Sequence, residues 1–178
     1  VCIKCHGVYP DPKDPFYLAE KENLSTRIDF YGITAYPTLL FNGIQTKYSL
    51  STALLNDYID AVRKTDMKYN ITINSDVADH ILQVEGNVTS PEDVADASNL
   101  RLFVVAIEEY YKSPTAYSNG EKEMEYVAKR FMPNGNGMAI GESMEKDKPY
   151  DFSFSCDLNS FYDEKELGIV AFVQDMST

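Results

Sequence analysis

Cys2-Ile3-Lys4-Cys5-His6 reads Cys-x-x-Cys-His, the attachment signature of a c-type haem. The chemistry needs those residue types in that order. Two thiols at this spacing add to the two vinyl groups of the porphyrin, and the adjacent imidazole of His6 coordinates the iron from the proximal side. A distal ligand would come from His80, the only other histidine, from Met67, Met132 or Met138, or from a neighbouring subunit. Tyr9, Phe16 and Tyr17 lie close enough in sequence to wall such a group.

Three other readings of the segment stay open. As a simple strand it would put Cys2 and Cys5 on opposite faces, because side chains alternate, and leave both as inert thiols. As a redox dithiol it would need a helix N-terminus to depress the first thiol, and Gly7 and the prolines that follow oppose a helix there. As a zinc site it would draw on Cys2, Cys5, His6 and Cys156, without a second close ligand pair. Cys156 shares a strand face with Tyr150, Phe152 and Phe154, so a buried free thiol is expected. His80 falls in a strand pattern with Leu82 and Val84, which favours a packed or edge histidine.

Other chemistry is less specific. Glu108-Glu109 and Asp11/Asp14 are acid pairs of the kind glycoside chemistry uses, but acidic surface clusters accompany a formal charge of −12 from 16 Lys+Arg against 28 Asp+Glu. That charge repels phosphate backbones and argues against a nucleic-acid partner. Asn23-Leu24-Ser25, Asn70-Ile71-Thr72 and Asn87-Val88-Thr89 are glycosylation sequons, meaningful only in a eukaryotic secreted protein. No glycine-rich phosphate loop or nucleophile motif is present.

The 178 residues are 44% hydrophobic and 12% aromatic, ample for a packed core, and no apolar run reaches the ~18 residues of a membrane span. Val1 rather than Met opens the chain, and a signal peptide, had there been one, would already be gone. Three prolines between Pro10 and Pro15 predict an extended loop. Helices are expected over Glu20 to Tyr31, stopped by Gly32, and over Ser51 to Lys64. Between them Ile33 to Phe41 is strand-like, and Asn42-Gly43 is a hairpin signal. Beyond Lys64 the apolar period changes from 3.6 to 2. Strands follow from Tyr69 through Val88, then over Leu100 to Ile107, Glu125 to Met132, Tyr150 to Cys156 and Leu167 to Val173. Turn signals at Ser90-Pro91, Ser118-Asn119-Gly120 and Pro133 to Gly137 separate them. The expected class is α+β, with a mixed α/β piece over 1–66, a boundary near 65–68, and an antiparallel β-sandwich over 67–178.

The first piece resembles the second half of a thioredoxin fold: helix, Tyr31-Gly32-Ile33, Tyr36-Pro37-Thr38-Leu39-Leu40-Phe41, Asn42-Gly43, helix. In thioredoxin-like proteins the proline of such a Pro-Thr pair is cis. More narrowly, the chain resembles secreted thioredoxin-like proteins of the twenty-eight-kilodalton outer-membrane-protein-related family. His6, Asp14-Pro15-Phe16-Tyr17, Arg27, Tyr31-Gly32, Pro37-Thr38 and Asn42-Gly43 carry the resemblance. So do Leu100 through Glu108, Asn119-Gly120-Glu121, Arg130-Phe131-Met132-Pro133 and Val170 through Gln174 in the β-rich part. The resemblance implies that Val1 to Val8 aligns with a later strand ending in His6. The first part of the fold, with the family's own redox loop, is then missing or supplied by another chain. It accounts for His6 but for neither cysteine.

The leading expectation is therefore an exported electron-transfer protein, periplasmic, cell-surface or extracellular. It would carry one covalent haem c on Cys2, Cys5 and His6, with copies of itself or another redox protein as partners in a multimer or filament. The alternatives are a non-catalytic extracellular interaction module, and a thiol-disulfide exchange protein using Cys2 and Cys5.

Overall fold

The computed structural model describes residues 2–9, 11–45, 51–117, 120–158 and 162–177; Val1, Pro10 and the Ser118-Asn119 turn signal lie outside them. The chain begins with an extended segment, and a short helix α1 (Pro15–Ala19) starts at the last residue of the expected loop. Its start is chemically explicit. Pro15 occupies the first helical turn, where a missing N–H costs nothing, and the Asp14 carboxylate accepts the N–H groups of Phe16 and Tyr17 at 2.8 and 2.9 Å. Helix α2 (Lys21–Phe30) follows at once and ends where Gly32 adopts φ +58°.

The strand-like stretch from Ile33 shrinks to β1 (Leu40–Phe41), paired with β2 (Ile44–Gln45). Pro37 has no N–H for a ladder, and its bond to Tyr36 is cis. Asn42 and Gly43, at φ +48° and +82°, make the tight turn their identities favour. Helix α3 (Thr52–Arg63) is capped by the Ser51 hydroxyl, which accepts the Leu54 N–H at 3.3 Å. Tyr58 stacks on Phe41 with centroids 5.2 Å apart, but no α3 residue is buried.

Two antiparallel sheets make up the rest. One orders β3 (Asn70–Ala78), β4 (Ile81–Thr89) and β8 (Tyr150–Asp157). The other centres on β5 (Leu100–Lys112), flanked by β9 (Leu167–Asp175) along one edge, and by β6 (Glu123–Met132) and the short β7 (Met138–Ala139) along the other. Period-2 patterning puts Leu82, Val84, Val88 and Phe152 of the first sheet against Leu100, Leu102, Val104 and Ala106 of β5 in one core. Gly86 lets β4 run under the Phe152 ring; a Cβ there would sit 1.9 Å from the Thr72 carbonyl oxygen.

The other face of β5 is equally buried. Phe103, Val105 and Ile107 pack with Tyr17, Leu24, Ala128 and Phe131, so α1 and α2 form a third layer. Burying a side chain such as Leu24 contributes ~1.5–3 kcal/mol. A strand covered on both faces reads as a continuous apolar run, as Leu102 to Ile107 does. Residues on either side of the expected 65–68 boundary therefore share a core.

Candidate functional site

The Cys-x-x-Cys-His segment is built into the second sheet. The Lys4 N–H donates to the Tyr126 carbonyl at 2.7 Å, and the Ala128 N–H donates to the Lys4 carbonyl at 2.9 Å, a parallel bridge on Val127. Ile3 packs on the Phe103–Phe131 core, and the Lys4 ammonium pairs with Glu121. The segment thus meets β6 through one isolated bridge. Cys2 and Cys5 are both exposed and unbridged. Although the Cys5 residue is exposed at the surface, the protein crowded around its sulfur pushes the thiol up to about 12, and the Arg27 charge offsets this only in part. A thiol raised in this way is the opposite of an activated exchange nucleophile.

His6 is held differently. Its Nδ1 lies 2.8 Å from Asp14 Oδ2, its ring is tilted 53° against Phe16 at 4.9 Å, and its Nε2 is buried without a partner. Asp14 thereby joins the N-terminal strand to α1, serving His6 with one oxygen and the helix N-terminus with the other. Burial alone would raise the Asp14 carboxyl. The His6 hydrogen bond and charge and the N–H groups of Tyr17 and Phe16 outweigh it and hold the group below the usual carboxylate range. The ring of Tyr36 lies on Gly7 so closely that a Cβ there would be 2.4 Å from it, and Tyr9 stacks beyond at 6.5 Å.

A proximal haem ligand needs an imidazole with one nitrogen oriented and the other open to iron. His6 meets the first condition through Asp14, and its unpaired Nε2 has no protein donor. Protein covers that atom.

The remaining sequence candidates do not converge on His6. His80 is not on a strand but in the β3–β4 turn with Asp79, at φ +62° and +52°; its side chain is 81% exposed and bonded to Glu164 at 2.7 Å. Met132 is core, Met138 packs on the sandwich and Met67 is exposed. Cys156 packs on the sandwich core on the face of Phe152 and Phe154, and burial raises its thiol. It is part of that interior, and among the described residues no three potential metal ligands cluster.

Of the acid pairs, Asp14 is a cap and Glu108 is an ion-pair partner. Lys129, 1% exposed, donates to Glu108 Oε2 at 2.5 Å, over the Phe16 ring at 4.9 Å. Ala106 pairs with Arg130 while Ile107 pairs with Ala128, so Lys129 is the extra residue of a β-bulge. A bulge re-aims a side chain, which is how a lysine on a mostly apolar strand enters the interior. Burial raises Glu108 and lowers Lys129, and their contact pulls each back only in part. Period-2 patterning carries no signal for this pair, because the bulge breaks the period.

Comparison with known proteins agrees with the resemblance. No curated protein matches the chain. A solved structure, the E. coli curli protein CsgC (SeCys), is 14% identical, with 60% of this chain and 86% of that one covered, at a TM-score of 0.30. The family model described as Outer membrane protein Omp28 matches residues 25–178, which takes in the later part of α2, all of α3 and both sheets. The chain belongs to the Omp28 family of outer membrane proteins.

Proposed function

We propose that the chain is an exported, envelope-associated interaction module without redox chemistry of its own. The observation that carries this reading is the tie of the Cys-x-x-Cys-His segment to the fold: Lys4 bridges to Val127 of β6, His6 is bonded to Asp14, and the Cys5 thiol is pushed up to about 12. The residues with the strongest chemical signature thus brace the fold. The outer-membrane description of the family supports export. Among the described residues no helix is long and apolar enough to cross a membrane.

We further read residues 2–66 as a partial thioredoxin-like unit. The order α2, cis Tyr36–Pro37, hairpin and α3 supports it. Among the described residues β1 and β2 pair with one another only, and the exposed Leu39, Leu54 and Tyr58 leave apolar surface on this unit. A covalent haem on Cys2, Cys5 and His6 is the second reading, favoured by the unpartnered Nε2 of His6.

Removing both thiols separates a brace from a redox site. Wild type and Cys2→Ser/Cys5→Ser are expected to share one urea midpoint and to leave insulin disulfides unreduced in the presence of dithiothreitol above the buffer rate. Reduction by wild type that disappears in the double variant would assign exchange chemistry to the segment and overturn the module reading.

A further inference from the structure

β9 ends its pairing at Leu167 opposite Glu108, while β5 runs on through Tyr110, Tyr111 and Lys112. Where the neighbouring strand stops, a cleft of about 500 Å³ opens. Tyr110, Tyr111 and Tyr162 contribute its aromatic surface, and Asp163 and Glu166 its carboxylates. The turn that brings the two acids round is fixed by the backbone. The Glu166 N–H donates to the Asp163 carbonyl at 3.1 Å, and the Glu109 N–H donates to the Glu166 carbonyl at 2.7 Å. Tyr110 is exposed, so its ring is available.

The protein already houses one ammonium at the floor of this cleft. Lys129 Nζ is bonded to Glu108 and lies 5.7 Å from the Tyr111 centroid and 5.5 Å from that of Tyr162. That ion pair is neutral as a unit, and Lys112, the one cation among the described residues that line the cleft, is engaged by Glu123 at 2.6 Å. Asp163 and Glu166 are left as the excess charge of the cleft. Aromatic faces attract cations within ~6 Å of the centroid, and more strongly where water is partly excluded. Carboxylates beside the rings select a cation that can also donate hydrogen bonds.

We propose that this cleft binds an alkylammonium group, seated on the tyrosine rings and bonded to Asp163 and Glu166. The shared chemistry fits either a lysine side chain of a partner protein or a free diamine. This site is independent of the N-terminal segment and goes beyond the module reading, which stands or falls without it.

Calorimetric titration with Nα-acetyl-lysine methylamide and with cadaverine, in about 0.15 M salt to screen the net negative charge, tests it. Both amines should bind wild type. Asp163→Asn/Glu166→Gln, which keeps shape and removes charge, should weaken them at least tenfold. Tyr110→Ala, at an exposed position, should weaken them severalfold without altering the circular dichroism spectrum. n-Pentanol, which has the chain but no charge, should not bind. Tighter binding of the lysine amide assigns the site to a partner's side chain, and tighter binding of cadaverine to a free amine. The proposal is overturned if neither amine binds wild type, if both bind the charge-neutralised variant as well as wild type, or if pentanol binds equally.

Discussion

Glu108→Ala should lower the unfolding free energy by about 3–5 kcal/mol, the largest loss expected of any single charge removal in this chain. Lys129 has no exposed side-chain surface, and Glu108 is its carboxylate partner at 2.5 Å. Removing the acid strands an ammonium among Phe16, Tyr111 and Tyr162. The aromatic faces return only ~2 kcal/mol or less of its lost hydration. The pair itself is a different matter, since two desolvated charges roughly offset their own attraction. Glu108→Gln/Lys129→Met should therefore recover most of the loss, and urea unfolding of the two variants measures the difference. A single-variant loss under about 1 kcal/mol would mean that Lys129 reaches water when its partner is gone.

Asp14→Ala is expected to cost about 2–4 kcal/mol. An N-cap replacement alone costs ~1 kcal/mol, and here the same carboxylate also holds the buried His6 Nδ1. Its loss leaves that nitrogen unpaired, a further ~1–3 kcal/mol. The effect should be partly shared with His6→Ala, because both variants cut the same tie between the N-terminal strand and α1, and the double variant should cost less than the sum. The pH dependence follows from the lowered Asp14 carboxyl. A depressed acid stabilises the fold above the ordinary carboxylate pKa. That contribution is lost as pH falls through the folded value, so wild type and Asp14→Ala should converge in stability once the pH is below that lowered value. Parallel pH profiles across that range would contradict the assigned roles.

Much of the fold was legible because its signals are local and periodic. α2, α3, the Asn42-Gly43 turn and the sandwich strands follow from apolar spacing and turn chemistry, and β5, buried on both faces, from an unbroken apolar run. α1 was not read because Pro15 closes the expected loop and also begins a helix, and only the Asp14 cap before it marks that start. His80 was drawn into a strand pattern by Leu82 and Val84, although two residues at positive φ make the turn there. The site was less legible than the fold. Cys-x-x-Cys-His is a pattern in sequence, whereas its chemistry depends on which atoms remain uncovered. The bridge of the Lys4 backbone to β6, and the pairing of its ammonium with Glu121, 117 residues away, are invisible in the motif. Lys129 was missed because an inserted residue in a ladder leaves no mark on the alternation until the partner strand is known.

The central claim is that the amino-terminal motif is a structural strand with free thiols. Intact mass of the protein purified from its native source, before and after alkylation under denaturing conditions, addresses it directly. The expected mass is that of the bare polypeptide, with Cys2 and Cys5 both alkylated and no Soret absorption. A porphyrin-sized increment retained on the peptide that spans Cys2 and Cys5, with reduced α and β bands, would contradict it.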